Sequence, residues 1–355
     1  MACSRNGYVC CPSLHQSYTS GEIITLLKRI RCKAFFTTPG YGSDATTHPI
    51  TNLLGEVPTL IRTCLYGATF ADATQTIEHQ TPEHQLVVEA TSERRLPPAA
   101  TNPDKIVYLA FTSGTTGLPK GVMHSDNTLL ANGRMMVRDW HHDQDSILVT
   151  LSPLSHHIGT VAIEQWLAAG LQLVIHNFAA GKPALDWIIE SQGTYVMGVP
   201  THAMDILEDF RRRGLTAMGK VTSFYMAGSP IPREVAEQFL RIGVKPQNVY
   251  GMTENCGVSH CTLPGSTDAG NVGHPYEGVE QRIDPRNRHA ANARVGPDQA
   301  HRLALAGGVR HQQVNRHIVH MRQHHQAALL GQLHQLAGHG AVGIGTVIQV
   351  EFAHP

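Results

Sequence analysis

The chain carries no excess of charge of either sign: 28 Lys and Arg stand against 28 Asp and Glu in 355 residues. That balance removes the electrostatic case for a nucleic acid or an anionic membrane surface as partner. No apolar run approaches the roughly 20 residues that cross a bilayer, so no membrane span is expected. Met1–Pro12 lacks an apolar stretch of signal-peptide length, and no targeting pattern is evident. The seven cysteines, Cys3, Cys10, Cys11, Cys32, Cys64, Cys256 and Cys261, are odd in number and show no paired spacing. They read as free thiols rather than a disulfide framework. No internal repeat is visible. These absences fit a cytoplasmic enzyme long enough to bury a large core and to hold two domains.

The end of the chain lacks more. Residues 286–355 hold ten His, eight Gln and seven Arg against one Asp, one Glu and no Lys, and Phe352 is their only aromatic. Such a segment offers few anchors for a core and little charge alternation for an ordinary surface. Ala, Arg, Gly, His and Gln dominate it, the composition a GC-rich gene gives in a wrong frame. The natural reading frame is therefore expected to be lost near Pro285, and 286–355 to form no native domain. A metal-binding tail is the rival reading. His317, His320 and His324 would share one face of a helix, yet no acidic or cysteine ligand accompanies them.

What is present is concentrated in residues 108–125. The β-branched and apolar run Ile106–Phe111 breaks into a loop of hydroxyls and glycines that ends in one lysine, Lys120. Gly114, Gly117 and Gly121 let the backbone approach a ligand and turn its N–H groups inward. Thr112, Ser113, Thr115 and Thr116 add short hydroxyl donors, and Lys120 a compact positive charge. This chemistry suits a polyphosphate. The spacing is not Gly-x-x-x-x-Gly-Lys-Ser/Thr, which excludes a P-loop NTPase. A plain Gly/Ser/Thr surface loop would not be expected to set so many phosphate-binding groups in order.

Elsewhere the hydrophobic period alternates. Strands are expected at Ile106–Phe111, Ser146–Thr150, Leu171–Ile175, Tyr195–Gly198, Ser223–Ala227 and Asn248–Tyr250. Helices are expected at Asn127–Asp139, Ala162–Ala169, Ala184–Glu190, Thr201–Arg213 and Arg233–Ile242. The sequence Thr19-Ser20-Gly21-Glu22 reads as a capping box ahead of an amphipathic helix, followed by a strand at Lys33–Thr37. Residues 74–102 are polar and contain proline, and read as a loop or linker. Alternating elements of these lengths predict an α/β fold, a doubly wound and mostly parallel sheet with helices on both faces.

The glycine and hydroxyl loop resembles the phosphate-loop signature of the adenylate-forming superfamily, which comprises acyl-CoA synthetases, amino-acid adenylation domains and luciferases. Three further segments follow in that family's order. Pro153-Leu154-Ser155-His156-His157-Ile158-Gly159 is similar to Pro-Leu-x-His-x-x-Gly, with His156 at the motif histidine and His157 without such support. Phe224 to Pro232 contains Ala227, Gly228 and Ser229 in a small-residue turn. Tyr250-Gly251-Met252-Thr253-Glu254 is similar to Tyr-Gly-x-Thr-Glu. The resemblance continues through Asn271–Pro275 and Val279–Asp284 and covers about residues 9–284.

The resemblance implies a reaction. A small-molecule carboxylic acid attacks the α-phosphorus of ATP to give an acyl-adenylate and pyrophosphate, and a thiol, usually that of coenzyme A, then takes the acyl group. It places Lys120, His156, Thr253 and Glu254 in the chemistry, with Glu254 on Mg²⁺. It places Thr112, Ser113, Gly114, Thr115, Thr116, Gly117, Lys120, Ala227, Gly228, Ser229, Tyr250, Gly251 and Thr253 around the nucleotide, with Tyr250 against adenine. Cys256 could line the cleft, although a buried or bystander thiol is the plainer reading. Parts of the pattern are missing: a Tyr-Arg-Thr-Gly-Asp segment, the C-terminal domain with its lysine, and the strands before residue 9. The last lysine is Lys245. The expectation is a partial adenylation domain over 1–285 with crippled activity. Cys256 and the segment Ser259–Pro264 look most like ligases for medium-chain or alicyclic acids. Amino-acid adenylation and a non-catalytic remnant that at most binds nucleotide are the alternatives.

Overall fold

The computed structural model describes residues 1–66, 75–78, 98–112, 119–177, 181–268, 271–277, 279–280, 320–321 and 347–350. In chain order the first elements are α1 (Ala2–Arg5), β1 (Val9–Cys11), α2 (Ser20–Arg29), β2 (Ala34–Thr37), β3 (Arg62–Leu65), β4 (Gln75–Glu78), β5 (Ile106–Thr112) and β6 (Lys120–Ser125). Then follow α3 (Asp126–Asp139), β7 (Ile147–Thr150), α4 (His157–Ala169), β8 (Gln172–Ile175), α5 (Ala184–Glu190), β9 (Tyr195–Gly198) and α6 (Pro200–Arg212). The last are β10 (Ser223–Met226), α7 (Arg233–Arg241), β11 (Lys245–Tyr250), β12 (His260–Cys261), β13 (His274–Pro275), β14 (Val279–Glu280), β15 (His320–Met321) and β16 (Val347–Val350).

The capping signals act as the sequence predicts. The Thr19 hydroxyl accepts from the Glu22 amide at 3.2 Å, and the Glu22 carboxylate accepts from the Thr19 amide at 2.8 Å. Two orphan donors of α2 are thereby satisfied. Ser125 and Thr128 do the same for α3.

The second sheet, in the order β13-β12-β11-β10-β9-β7-β8, is the expected doubly wound one. Its five strands from β11 to β8 are parallel, and β12 and β13 add antiparallel at the β11 edge. Successive residues of a strand face opposite sides, and this sheet uses both. Val149, Val196, Phe224 and Met226 bury against Leu185 and Ile188 of α5, Ile206 and Phe210 of α6 and Phe239 of α7. Leu148, Met197, Tyr225 and Val249 bury against Met135 and Met136 of α3 and Val161 and Ala162 of α4.

The first sheet is mixed, in the order β4-β3-β2-β16-β1-β5-β6. The pairs β2–β3 and β1–β5 are parallel, and the others are antiparallel. Leu109 and Phe111 of β5 pack toward Ile23 and Leu27 of α2. Tyr108 and Ala110 face the other way, toward Leu129 of α3. Helices α3 and α4 thus lie between the two sheets. They cross closely because position 133 is glycine: a Cβ there would sit 2.7 Å from the Glu164 backbone.

Several strands are absent from the sequence reading, among them three that frame the phosphate hairpin's sheet. The segment Gln75–Glu78, read as loop, is a strand, since Thr63 of β3 lies opposite Ile77 and an edge strand needs only one covered side. Lys120–Ser125 was not expected as a strand and pairs antiparallel with β5. Val347–Val350, in the histidine-rich segment, pairs antiparallel with both β1 and β2. No helix among the described residues is long and apolar enough to cross a membrane.

Candidate active site

The β5–β6 hairpin carries the phosphate loop. Thr112 lies opposite Lys120, so the register closes the loop at its two ends. Ser113, Gly114, Thr115, Thr116 and Gly117 lie outside the described residues. Arg29 of α2 donates to the Pro119 carbonyl and fixes the approach to Lys120, whose side chain is exposed. Sequence reasoning missed Arg29, since its partner is 90 residues away.

The other motifs sit at the carboxyl ends of parallel strands, where open α/β sheets bind ligands. His156 follows β7 and is the N-cap residue of α4. Its ring stacks on His15 at 4.0 Å between centroids and 19° between planes. Desolvation lowers the pKa of both rings, that of His15 to about 4. Ala227, Gly228 and Ser229 follow β10, with Gly228 at φ +91°, a conformation that favours glycine. Met226 pairs with Asn248 of β11, so this turn and the Tyr250-Gly251 turn leave adjacent strands. Tyr250 is half-buried, with one edge of its ring against His260 at 5.8 Å. Thr253 and Glu254 occupy a single 3₁₀ turn, Thr253–Asn255, and Glu254 is exposed without a salt-bridge partner among the described residues. An exposed carboxylate on a turn suits Mg²⁺, which keeps most of its shell for water and phosphate oxygens. Among the described residues no group of three His, Cys, Asp or Glu could hold a metal by itself.

The structure joins the phosphate hairpin to the Thr253 turn through a residue the sequence did not single out. His124 of β6 is buried, and its Nε2 lies 2.7 Å from the Thr253 carbonyl oxygen. Its Nδ1 lies 3.3 Å from Cys256 Sγ. Lys120 and His124 are four residues apart on one face of β6, a separation of about 13 Å. The structure therefore ties the root of the hairpin to the turn, without bringing Lys120 itself beside Thr253.

His157 has a different place from its neighbour. It is buried, stacks on His124 at 5.3 Å, and sets Nδ1 3.2 Å from the Tyr108 hydroxyl. Burial, then the adjacent His124, lowers its pKa to about 4, with the Cys256 backbone opposing. Cys256 is buried too, and burial pushes its thiol up to about 12. Cys256 is thus the buried thiol the sequence suggested, with its Sγ 3.3 Å from His124 Nδ1.

Glu164 of α4 completes this interior. It is 3% exposed, and among the described residues neither carboxylate oxygen has a hydrogen-bond partner. Burial holds its pKa well above the ordinary carboxylate range. The folded chain keeps the acid protonated while the unfolded chain ionises above about pH 4.5, so the group lowers stability as pH rises. Replacing Glu164 with Met removes an unsatisfied polar group worth about 1–3 kcal/mol. Glu164→Met is expected to be more stable than the native chain by that amount at pH 8, with the advantage shrinking toward pH 4.5. Urea denaturation at the two pH values measures it; an equal or lower midpoint at pH 8 contradicts the expectation.

An open groove of about 490 Å³, lined by Arg134, Val137, Arg138, His141, His142 and Ala168, lies toward the far end of α4 from His156. It belongs to a different end of the sheet from the motif turns.

Comparison with known proteins agrees with this geometry. The family model described as AMP-binding enzyme matches residues 1–296. The medium-chain fatty-acid–CoA ligase of Escherichia coli (strain K12) is 25% identical over 287 residues, covering 80% of this chain and 49% of that protein. The mitochondrial medium-chain acyl-CoA ligase ACSF2 of Homo sapiens is 28% identical over 297 residues, covering 76% of this chain and 48% of that protein. Among solved structures, the anthranilate CoA ligase AuaEII in complex with anthranoyl-AMP superposes with a TM-score of 0.61 at 19% identity, covering 77% of this chain and 51% of that one. The chain spans about half the length of the curated relatives it matches. With a family model over most of its length and the motif turns at the carboxyl ends of one parallel sheet, the chain belongs to the AMP-binding enzyme family.

Proposed function

We propose that this chain is the nucleotide-binding part of an acyl-CoA synthetase that activates a carboxylic acid with ATP and Mg²⁺ and passes the acyl group to coenzyme A. One observation carries the reading: His156, Ala227–Ser229 and Tyr250–Glu254, far apart in sequence, stand at the ends of parallel strands of one sheet, and the phosphate hairpin is bonded to the last of them. In this reading residues 1–285 form a partial adenylation domain. Tyr250 offers an aromatic face to the purine. Ala227, Gly228 and Ser229 give a wall without bulk, and Thr112, Ser113, Gly114, Thr115, Thr116 and Gly117 supply hydroxyl and backbone N–H donors suited to phosphates. Lys120 neutralises phosphate charge, Thr253 supplies a hydroxyl to the α-phosphate, and Glu254 holds Mg²⁺. His156 borders the acyl side. A carboxylate oxygen attacks the α-phosphorus and pyrophosphate leaves; the thiol of coenzyme A then attacks the acyl carbon and AMP leaves.

The relatives that act on medium-chain acids, together with Cys256 and Ser259–Pro264, support a medium-chain or alicyclic acid as substrate. Residues 246–355 contain no lysine. The chain by itself therefore offers no C-terminal lysine for the α-phosphate, and thioester formation is expected to be negligible. Removing one preorganised donor typically costs about a hundred- to a thousandfold in rate.

The test is binding. A hydrogen bond to a charged group is worth about 1.5–3 kcal/mol, and about 1.4 kcal/mol is tenfold in affinity. Lys120→Ala is expected to weaken ATP about ten- to a hundredfold by calorimetry. Equal affinity for the two proteins removes Lys120 from the site. Acid-dependent exchange of pyrophosphate into ATP distinguishes an adenylating enzyme from a remnant that only binds nucleotide.

A further inference from the structure

We infer that His124 is a positioning residue: held as its Nε2–H tautomer by Cys256, it straps the Thr253–Glu254 turn to the strand that carries the phosphate loop. The consequence for nucleotide rests on the proposed site, while the strap itself does not.

The hydrogen-bond chemistry allows one assignment. A backbone carbonyl only accepts, so the 2.7 Å contact from His124 Nε2 to Thr253 requires the proton on Nε2. A neutral imidazole then presents a lone pair at Nδ1. Cys256 Sγ is 3.3 Å from that lone pair and donates its S–H. Cys256 is buried, so water does not compete for this contact. The ring is clamped on its remaining sides: Tyr108 lies opposite His124 in the β5–β6 register, and His157 stacks on it at 5.3 Å. His124 thus joins three elements, β6, α4 and the 3₁₀ turn.

The groups around the ring favour the uncharged form. A proton on Nδ1 would face the Cys256 S–H and forfeit its acceptor. His157 is held neutral with a pKa of about 4, Glu164 is held neutral and Tyr108 remains a phenol, so none of them offers a negative charge to a protonated ring. The Thr253 carbonyl and the Glu254 carboxylate pull the other way, and burial outweighs them, so the pKa is lowered. The imidazole reaches Thr253 through its backbone and leaves the Thr253 hydroxyl and the Glu254 carboxylate free for a ligand. It aims those groups without touching the nucleotide.

A plain core histidine would stabilise the fold without controlling the turn, and the test separates the two. Long-range ¹H–¹⁵N correlation spectra of the ¹⁵N-histidine-labelled full chain, with His124 assigned by its loss in His124→Gln, should show the neutral Nε2–H pattern at pH 7. In Cys256→Ala, which removes the partner at Nδ1, part of the preference for the Nε2–H tautomer should be lost. His124→Leu should speed amide exchange of Cys256 and Gly257, which bond to Thr253 and Met252 carbonyls, by about tenfold, leaving β10 amides unchanged. His124→Gln, whose side-chain amide can still donate to Thr253, should restore protection. If ATP binds, His124→Leu should also shrink the Mg²⁺-dependent gain in affinity, and His124→Gln should recover it. An Nδ1–H tautomer, or exchange that rises equally in β10 and the turn, overturns the strap. Absence of ATP binding in the native chain, with the tautomer and local exchange as stated, overturns the proposed nucleotide site and leaves the strap standing.

Discussion

Gly251→Ala is expected to cost about 3–5 kcal/mol of stability and to abolish ATP binding. A Cβ at this position would lie 1.6 Å from the Gly257 carbonyl oxygen, 2.5 Å from its carbonyl carbon and 2.7 Å from the Val258 Cα. All three are backbone atoms, so no rotamer change relieves the clash. The loop cannot open cheaply either. It is closed by the Gly257 amide on Met252 at 3.0 Å, the Ser259 amide on Tyr250 at 2.8 Å and the Cys256 amide on Thr253 at 3.2 Å. Losing two of these bonds costs about 1 kcal/mol each, and overpacking adds about 1–3 kcal/mol. Tyr250, Thr253 and Glu254 all hang on this loop, so their alignment goes with it. Gly228→Ala is the control. It also alters a motif glycine, but the nearest atom to its Cβ is Val199 Cγ1 at 3.8 Å, and only the strain of a positive φ, about 1 kcal/mol, is incurred. Urea denaturation of both variants decides the matter: a Gly251→Ala midpoint within error of Gly228→Ala shows that the loop yields easily.

The parallel strands of the second sheet were legible because each carries its own signal, whereas the two-residue strands β12 and β13 at its edge were not read. Tyr195–Gly198 and Ala184–Glu190 were read with the same ends the structure gives them. Buried parallel strands are short apolar runs and their helices have a 3.6 period, so both appear without knowledge of partners. The first sheet was less legible for the opposite reason. The strand Lys120–Ser125 contains a lysine, a glycine, a histidine and a serine, and only its pairing with β5 makes it a strand. The strand Gln75–Glu78 is set by β3 in the same way.

The site divides similarly. Lys120, Tyr250 and Gly251 belong to contiguous patterns. His124 and His157 acquire their roles from elements that meet only in the fold, and in the sequence they are two more among 23 histidines. The adjacent pair His156-His157 shows the limit plainly. One stands at the N-terminal boundary of α4 and stacks on His15; the other turns inward one residue later and contacts Tyr108. A motif resemblance singled out the first, and only the position of β5 gives the second its contact.

Lowering the pH from 7 to 4.5 is expected to remove about 4 kcal/mol of stability through two buried histidines alone. His142 and His157 are 6% and 7% exposed, and among the described residues His142 has no hydrogen-bond partner at either ring nitrogen. Burial lowers the pKa of each from 6.5 to about 4. A folded pKa below the unfolded one means that the unfolded chain takes up the proton first. The stability is therefore complete above about pH 6.5, falls as the pH drops toward 4, and changes no further below that. Two pH units at about 1.4 kcal/mol each set a ceiling near 3 kcal/mol per ring, and relaxation of the protonated state brings this to about 2 kcal/mol. Glu164 works in the opposite direction, since its penalty is relieved as the unfolded carboxylate becomes protonated near pH 4.5. The histidine effect should accordingly be seen undiluted in Glu164→Met, whose stability falls more steeply with acid than that of the native chain. His142→Phe keeps the ring in the cluster of Trp140, Tyr195 and Tyr225 and removes the titration, so it should lessen the acid loss by about half. Urea midpoints at pH 7, 6, 5 and 4.5 give the slope for all three proteins. A native midpoint that stays constant over that range would mean that both rings reach solvent or a partner when protonated, and the dry interior between the two sheets would have to be abandoned.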